Sequence, residues 1–187
     1  MRIGIDISQT AYEGTGVAEY VENLVKNLIS KDNVNEYVLF FSSMRRNLKF
    51  QISNLEHTHK NLKIKRFRIP PSILDLFWNR LHLVPIESLI GDVDVFISSD
   101  WTQPPTKRAK MITIIYDLIV YKFPKETANK IVETQKRRLN WVRKECDTVI
   151  CISESTKRDV IEVLGIEESR LGVVYPGIEG VNYVNRN

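Results

Sequence analysis

The chain has 187 residues, enough for one substantial core and too few for two full-sized domains. Its composition, 43% hydrophobic, 9% aromatic and 27% charged, is that of a globular protein and excludes a disordered, collagen-like or disulfide-stapled chain. The formal net charge is only +4, but basic residues gather between Met44 and Arg68 and again between Lys122 and Lys144, so two basic patches that meet an anion are expected.

In chain order, Arg2 to Ile7 alternates Ile3, Ile5 and Ile7 with small or polar residues and reads as a first strand. After Gly14-Thr15-Gly16, apolar residues recur at Val17, Val21, Leu24, Val25, Leu28 and Ile29, one stripe of a 3.6-residue period, which predicts a helix. Strand-length apolar runs follow at Tyr37 to Phe41, Leu62 to Phe67, Val93 to Ser98, Met111 to Tyr116, Thr148 to Ile152 and Leu171 to Val174. Ser72 to Ile90 carries Leu76, Phe77, Trp78, Leu81 and Leu83 and is interrupted by Pro85; it is either an extra core helix or a surface-binding element. Thr127 to Lys144 predicts a helix with Ile131, Gln135, Leu139 and Val142 on one face and lysines and arginines on the other. A last helix runs from about Glu154 to Leu164, with Ser153 as N-cap and Gly165 as a left-handed C-terminal cap. Strands apolar on both faces and alternating with helices predict a doubly wound, Rossmann-like α/β domain, a parallel sheet with helices on both faces.

No apolar stretch approaches the ~20 residues of a membrane span, since the run Met111 to Tyr121 is broken by Asp117, and the opening MRIGIDISQT places Asp6 where a signal peptide would be unbroken and apolar. A cytosolic location is expected. The two cysteines, Cys146 and Cys151, have no histidine near in sequence to complete a metal cluster, so no metal site is expected. Cys151, inside TVICIS, reads as a small buried apolar side chain.

In a doubly wound sheet, ligands bind outside the carboxyl ends of the strands, and glycines there let backbone N–H groups approach an anion. Gly14-Thr15-Gly16 sits in such a place, but Glu19 replaces the third glycine of a dinucleotide fingerprint and no Gly-Lys-Ser/Thr follows. A tight turn and a phosphate cradle both remain open on this pattern alone.

GTGVAEYVENLVKNL resembles the glycine loop and first helix of glycosyltransferase family 4, whose members have the two-domain GT-B architecture. WNRLHLVP, DVDVFISSD, ITIIYDLIVYKFPKE, DTVICISESTKRDVIEVLGI and RLGVVYPGI are similar, in order and spacing, to that family's amino-terminal domain. The resemblance implies sugar transfer from a nucleotide-sugar donor, with retention and without a metal or other cofactor, to a glycan, lipid-linked or cell-envelope acceptor. It places the acceptor on the amino-terminal domain and most donor contacts on the carboxy-terminal one. It further implies that Gly14, Thr15 and Gly16 meet the donor phosphate or sugar, that Tyr116 and Asp117 are catalytic, and that Asp100, Trp101, Ser153 and Glu154 line the cleft.

The chain departs from the family pattern at Tyr116, where a histidine usually precedes the aspartate, and at Ile97, where many members have a histidine. A tyrosine hydroxyl donates a hydrogen bond but does not shuttle protons at neutral pH. After VVYPGI only EGVNYVNRN follows, so residues 1–178 are expected to form the acceptor-side domain and 179–187 the start of an interdomain linker. The donor half is then expected either on a longer chain of which this is a part or on a separate carboxy-terminal domain chain as partner, and the chain alone is expected to be inactive. The basic stretch ending at Arg68 and the apolar residues after it suit an anionic membrane surface, reversibly and at its cytoplasmic face. The alternative is a non-catalytic α/β module binding nucleic acid or another polyanion, but none of the recognition signatures of nucleic-acid folds occurs and no nucleic-acid partner is expected. The basic runs also read as solvated faces.

Overall fold

In β2 (Glu36–Ser42) every residue after the first is buried, and its side chains go alternately to two cores. Tyr37, Leu39 and Phe41 join Val21, Val25 and Ile29 of α1 (Gly16–Lys31) and Ile52 of α2 (Phe50–Thr58). Val38 and Phe40 join Trp78 and Phe96 together with Leu139 and Val142 of a long helix, Asn129–Glu145. A strand apolar at every position needs cover on both faces, and it has it. The computed structural model describes residues 1–177, so the expected linker at 179–187 lies outside the described residues.

Seven parallel strands, β1 (Arg2–Asp6), β2, β3 (Leu62–Phe67), β4 (Val95–Ser98), β5 (Lys110–Ile115), β6 (Thr148–Cys151) and β7 (Leu171–Val173), lie in the order β3-β2-β1-β4-β5-β6-β7. This is the doubly wound, Rossmann-like α/β sheet that the sequence predicts. Strand order reverses direction between β1 and β4, where Ile3 pairs with Val95 and Ile5 with Ile97. At such a switch point the loops leaving the two strands diverge and open a crevice.

Ser153 and Gly165 end their helix as predicted, and the start of α1 has a cap of the same kind. Thr15 caps α1 by accepting the Ala18 N–H, and Ser153 caps α7 (Glu154–Asp159) by accepting that of Thr156. Helix α7 continues as a π-helical stretch, Val160–Leu164, which ends at Gly165 in the left-handed conformation. Two short helices, α4 (Glu87–Ile90) and α5 (Ile119–Lys122), precede α6 (Asn129–Glu145), in which Leu139 and Val142 of the predicted face are buried and the rest of that face is shifted. Ile131 is exposed, whereas Val132 and, within the basic run, Arg138 are buried.

The segment from Ser72 to Ile90 is both a core element and a surface one. A short helix, α3 (Pro71–Leu74), runs into a π-helical turn, Asp75–Arg80, that buries Trp78 and Asn79 and leaves Leu76 and Phe77 exposed. Leu81 and Leu83 are exposed too. The chain then turns through positive φ at His82 and Val84, and Val84 is β-branched, so this turn is strained. It is held by the Trp78 indole, which donates to the Val84 carbonyl at 2.9 Å, and by the His82 ring, stacked on Trp141 at 3.6 Å.

The two basic runs are partly engaged within the chain itself. In the first run, Arg46 donates to the Ala11 carbonyl, Lys49 pairs with Glu22 and Arg66 with Glu56. Lys63, Lys65 and Arg66 are exposed on β3, an edge strand, where charge blocks pairing with another sheet. In the second run, Lys122 pairs with Asp159 and Arg137 with Asp75 and Glu133. Both cysteines are buried free thiols, and burial pushes Cys146 up to about 12 and Cys151 up to about 11, as expected for packing residues.

Candidate active site

All seven strands end at one edge of the sheet, and the loops leaving β1, β2 and β4 enclose a cavity of about 410 Å³ there. From β1 and the short 3-10 helix behind it (Ser8–Ala11) come Asp6, Ser8 and Gln9; from β2 comes Ser42; from the loop after β4 come Ser99, Asp100, Trp101 and Thr102. Tyr12, Thr15 and Val17 complete the side next to α1, and Pro71 and Leu74 the opposite side. Two carboxylates and a ring of hydroxyls therefore share one recess with aromatic and aliphatic walls.

Asp6 is almost fully buried, and one carboxylate oxygen accepts the Ser8 N–H at 2.8 Å. Burial pushes its carboxyl up to about 6, against the opposing pull of hydrogen bonds from Ser8 and Ser99. The loop that carries Asp100 is folded around the Ser99 hydroxyl, which accepts the N–H groups of Trp101 and Thr102, each at 3.1 Å. Asp100 is also held through its backbone. Gln135 donates to its carbonyl at 2.8 Å, and the Gln9 amide, turned so that both its ends are satisfied, accepts the Asp100 N–H and donates to the Asp6 carbonyl. Burial raises the Asp100 carboxyl, and the Arg138 guanidinium opposes that rise.

Tyr116, at the end of β5, packs edge-on against Tyr20 with ring centroids 5.3 Å apart. Together with Asp6, Gln9 and Asp100 it lines a small enclosed void of about 10 Å³ between the switch-point strands. Burial, and then the nearby Asp100 carboxylate, hold its hydroxyl above the ordinary phenol range. Tyr116 thus keeps its proton at neutral pH and can donate a hydrogen bond but not act as a base. Asp117 is exposed, and its carboxylate accepts the Ile119 N–H at 3.0 Å, a turn-forming contact.

Gly14 has φ of 75°, so the loop before α1 needs glycine there. The loop divides two recesses. Thr15 and Val17 face the cavity just described, whereas Gly16 lines a second one of about 500 Å³ with Tyr20, Asn23, Tyr175 and Gly177. Because Thr15 takes the Ala18 N–H, the first turn of α1 keeps the N–H groups of Gly16 and Val17 for a ligand. Ser153 and Glu154 begin α7 beyond β6, and neither lines these recesses. The structure therefore brings Thr15, Asp100 and Trp101 together, places Tyr116 beneath Asp100, and leaves Asp117, Ser153 and Glu154 outside.

Sequence reasoning missed Asp6, Gln9, Asn79 and Arg138 as parts of the site. Asp6 carried a usable signal, a carboxylate closing a strand at the ligand-binding edge of the sheet. Asn79 fixes the site loop from the other side, donating to the Trp101 carbonyl at 2.9 Å and accepting the Gln103 N–H at 3.0 Å. Among the described residues, no three His, Cys, Asp or Glu side chains are grouped to hold a metal ion, and no helix is long and apolar enough to cross a membrane.

A parallel α/β domain with its recess at the switch point defines a class built to hold small ligands at the carboxyl edge of the sheet. The profile of Glycosyltransferase Family 4 matches residues 14–179, nearly the whole chain, and the protein belongs to that family. Its fold is that of the amino-terminal half of a GT-B enzyme, and its function lies in glycosyl transfer. No curated protein matches the sequence.

Proposed function

We propose that residues 1–178 are the acceptor-binding half of a retaining glycosyltransferase that uses a nucleotide-sugar donor, with 179–187 the start of a linker to a donor-binding half. The observation that carries this reading is the recess in which Asp6 and Asp100 stand among the hydroxyls of Ser8, Ser42, Ser99 and Thr102, beside the open first turn of α1. Hydroxyls and carboxylates are the partners that acceptor hydroxyl groups require, and a helix start favours the donor's phosphate or its sugar oxygens.

In the proposed reaction an acceptor oxygen bonds to the anomeric carbon of the donor, the bond from that carbon to the nucleoside diphosphate breaks, and the acceptor hydroxyl passes its proton to the departing diphosphate oxygen. Asp6, raised to about 6, is ionised at neutral pH and is matched to bind that hydroxyl. Tyr116 donates to a sugar oxygen. Gly14, Thr15 and Gly16 offer backbone N–H groups to the donor, while Trp101 gives the acceptor a flat apolar wall. Asp117, Ser153 and Glu154 close the cleft once the second half is in place. An anionic membrane surface is a further proposed partner, supported by Arg68, which lines one hollow with the exposed Phe77 and Val84.

The test is transfer from a labelled nucleotide sugar, with the chain alone and with a carboxy-terminal donor half added. Turnover is expected only in the second case, and lowered there by Asp100→Asn. Transfer by the chain alone would overturn the division of labour.

A further inference from the structure

A second hollow of about 490 Å³ adjoins the recess, and Pro71, Trp101 and Thr102 line both spaces. Trp101 is 38% exposed between them. The outer hollow is mixed in chemistry. Leu76 and Ile131 give it apolar surface, Ser72 and Thr134 give it hydroxyls, and Asp75, Arg80 and Lys130 give it charge. A sugar ring has the same mixed character, an apolar C–H face inside a rim of hydroxyls, so this lining suits a sugar better than a hydrocarbon.

The charges of the hollow do not cancel. The Asp75 carboxylate is already taken, accepting from Asn79 at 3.0 Å, from Arg80 Nε at 3.1 Å and from Arg137 at 3.3 Å. Its hold on Nε orients the Arg80 guanidinium, whose two terminal amino groups have no acceptor among the described residues. Lys130 is exposed and has no ion pair among them. With Glu133, which pairs with Arg137 at 3.7 Å, two carboxylates stand against three cations, and one positive charge is left over. A single carboxylate matches both that charge and the open end of the Arg80 fork.

We infer that the acceptor is an acidic glycan, with one sugar unit in the recess beside Asp6 and Asp100 and a uronic-acid unit beyond it that crosses Trp101 and gives its carboxylate to Arg80 and Lys130. This rests on the acceptor reading of the recess and narrows it. The acidic unit lays its C–H face on Trp101, Leu76 and Ile131, and Ser72 meets its hydroxyls. The wall it crosses is preformed, since the Trp101 N–H goes to the Ser99 hydroxyl at 3.1 Å and its carbonyl accepts from Asn79 at 2.9 Å, so binding does not first have to order it.

The probes are glucuronate, glucose and glucose 6-phosphate, titrated into the intact chain and followed by NMR at the Trp101 indole N–H, which Trp101→Phe assigns. Glucuronate is expected to bind about tenfold more tightly than glucose, because hydrogen bonds to a charged group are the stronger ones. Lys130→Glu should remove that preference and Arg80→Gln should lower it, whereas Lys136→Gln, on the same helix but over the Tyr121 ring, should preserve it. A glutamate in the first turn of α6 suits the helix dipole, so the melting temperature of Lys130→Glu should stay close to that of the parent; if it falls, Lys130→Gln replaces it.

Glucuronate that binds no more tightly than glucose, with glucose binding that is still lost in Asp100→Asn, overturns the acidic subsite and leaves the acceptor recess standing. A preference for glucuronate that survives Lys130→Glu also overturns it. Glucose 6-phosphate that outbinds glucuronate through Lys130 makes the anion a phosphate and overturns the uronic acid. An indole that none of the three sugars shifts overturns both readings.

Discussion

The guanidinium of Arg138 stands 4.0 Å from the Asp100 carboxylate and donates at 3.0 Å to the carbonyl of Ser99, the residue immediately before it. The same side chain donates to the Thr113 hydroxyl at 2.8 Å, so one buried cation ties α6 to β5 and to the loop that presents Asp100. Removing it leaves Asp100 without its nearest cation and the Ser99 carbonyl without its donor.

Arg138→Met should therefore destabilise the domain by about 3 kcal/mol, the cost of breaking a buried charge network from one side. Urea unfolding should show a lower midpoint with an unchanged slope. Arg138→Lys should recover little, because an ammonium cannot reach several acceptors in one plane. A midpoint equal to that of the parent would show that the network contributes nothing.

Asp6 makes stability depend on pH in a defined window. Its carboxyl is raised from 3.8 to about 6, so the folded state binds more protons than the unfolded one across that interval. Stability should then fall as pH rises from about 4 to about 6, by on the order of 3 kcal/mol. Asp6→Asn keeps an oxygen for the Ser8 N–H and carries no charge. It should melt higher than the parent above pH 6 and converge with it below pH 4, in paired thermal melts across the range. A variant that melts lower at pH 8 would contradict the burial cost.

Gly4 lies in β1 where a Cβ would stand 2.7 Å from Phe96 and 2.9 Å from Ile90, both fully buried. Neither can swing aside, so Gly4→Ala should cost about 1–3 kcal/mol by overpacking. Gly172→Ala, with nothing near its Cβ, is the control and should leave the melting temperature almost unchanged.

For the membrane proposal, the chain should sediment with anionic but not neutral vesicles, and salt should weaken the association. Phe77→Asp with Arg68→Glu should abolish it. Equal sedimentation with both vesicle types would rule the surface out.

Strand positions were legible because each buried strand is a short apolar run closed by polar or turn residues, and Leu62–Phe67 is placed without error. The start of α7 was legible because a hydroxyl residue, Ser153, precedes it, whereas α1 was read from its apolar stripe after Gly16. Arg138 was not, since an arginine flanked by basic residues reads as solvated, and its partners Ser99 and Thr113 lie 39 and 25 positions away in sequence. The π-helical turn at Asp75–Arg80 was hidden for another reason. Its register differs from the 3.6-residue period, so no regular stripe tells Trp78, which is buried, from Phe77, which is not. The residues named through the family resemblance follow the carboxyl ends of strands, but the resemblance could not sort those that share the recess from those that do not.

Strand β1 lies inside the sheet, yet its neighbour β4 follows it only after β2 and β3 have been made. Arg2 and Asp94 exchange hydrogen bonds at 2.7 and 2.8 Å across 92 positions of chain. At ~5–20 residues per second the ribosome needs roughly 5–20 s to deliver that partner. During this interval a nascent β1-β2-β3 ribbon has its outer side guarded by Lys63 and Lys65, while the β1 side, carrying Ile3 and Ile5, stays open. The aggregation hazard of this protein therefore belongs to its birth: substitutions that delay pairing of β4 should lower soluble yield even where the finished domain is as stable as before.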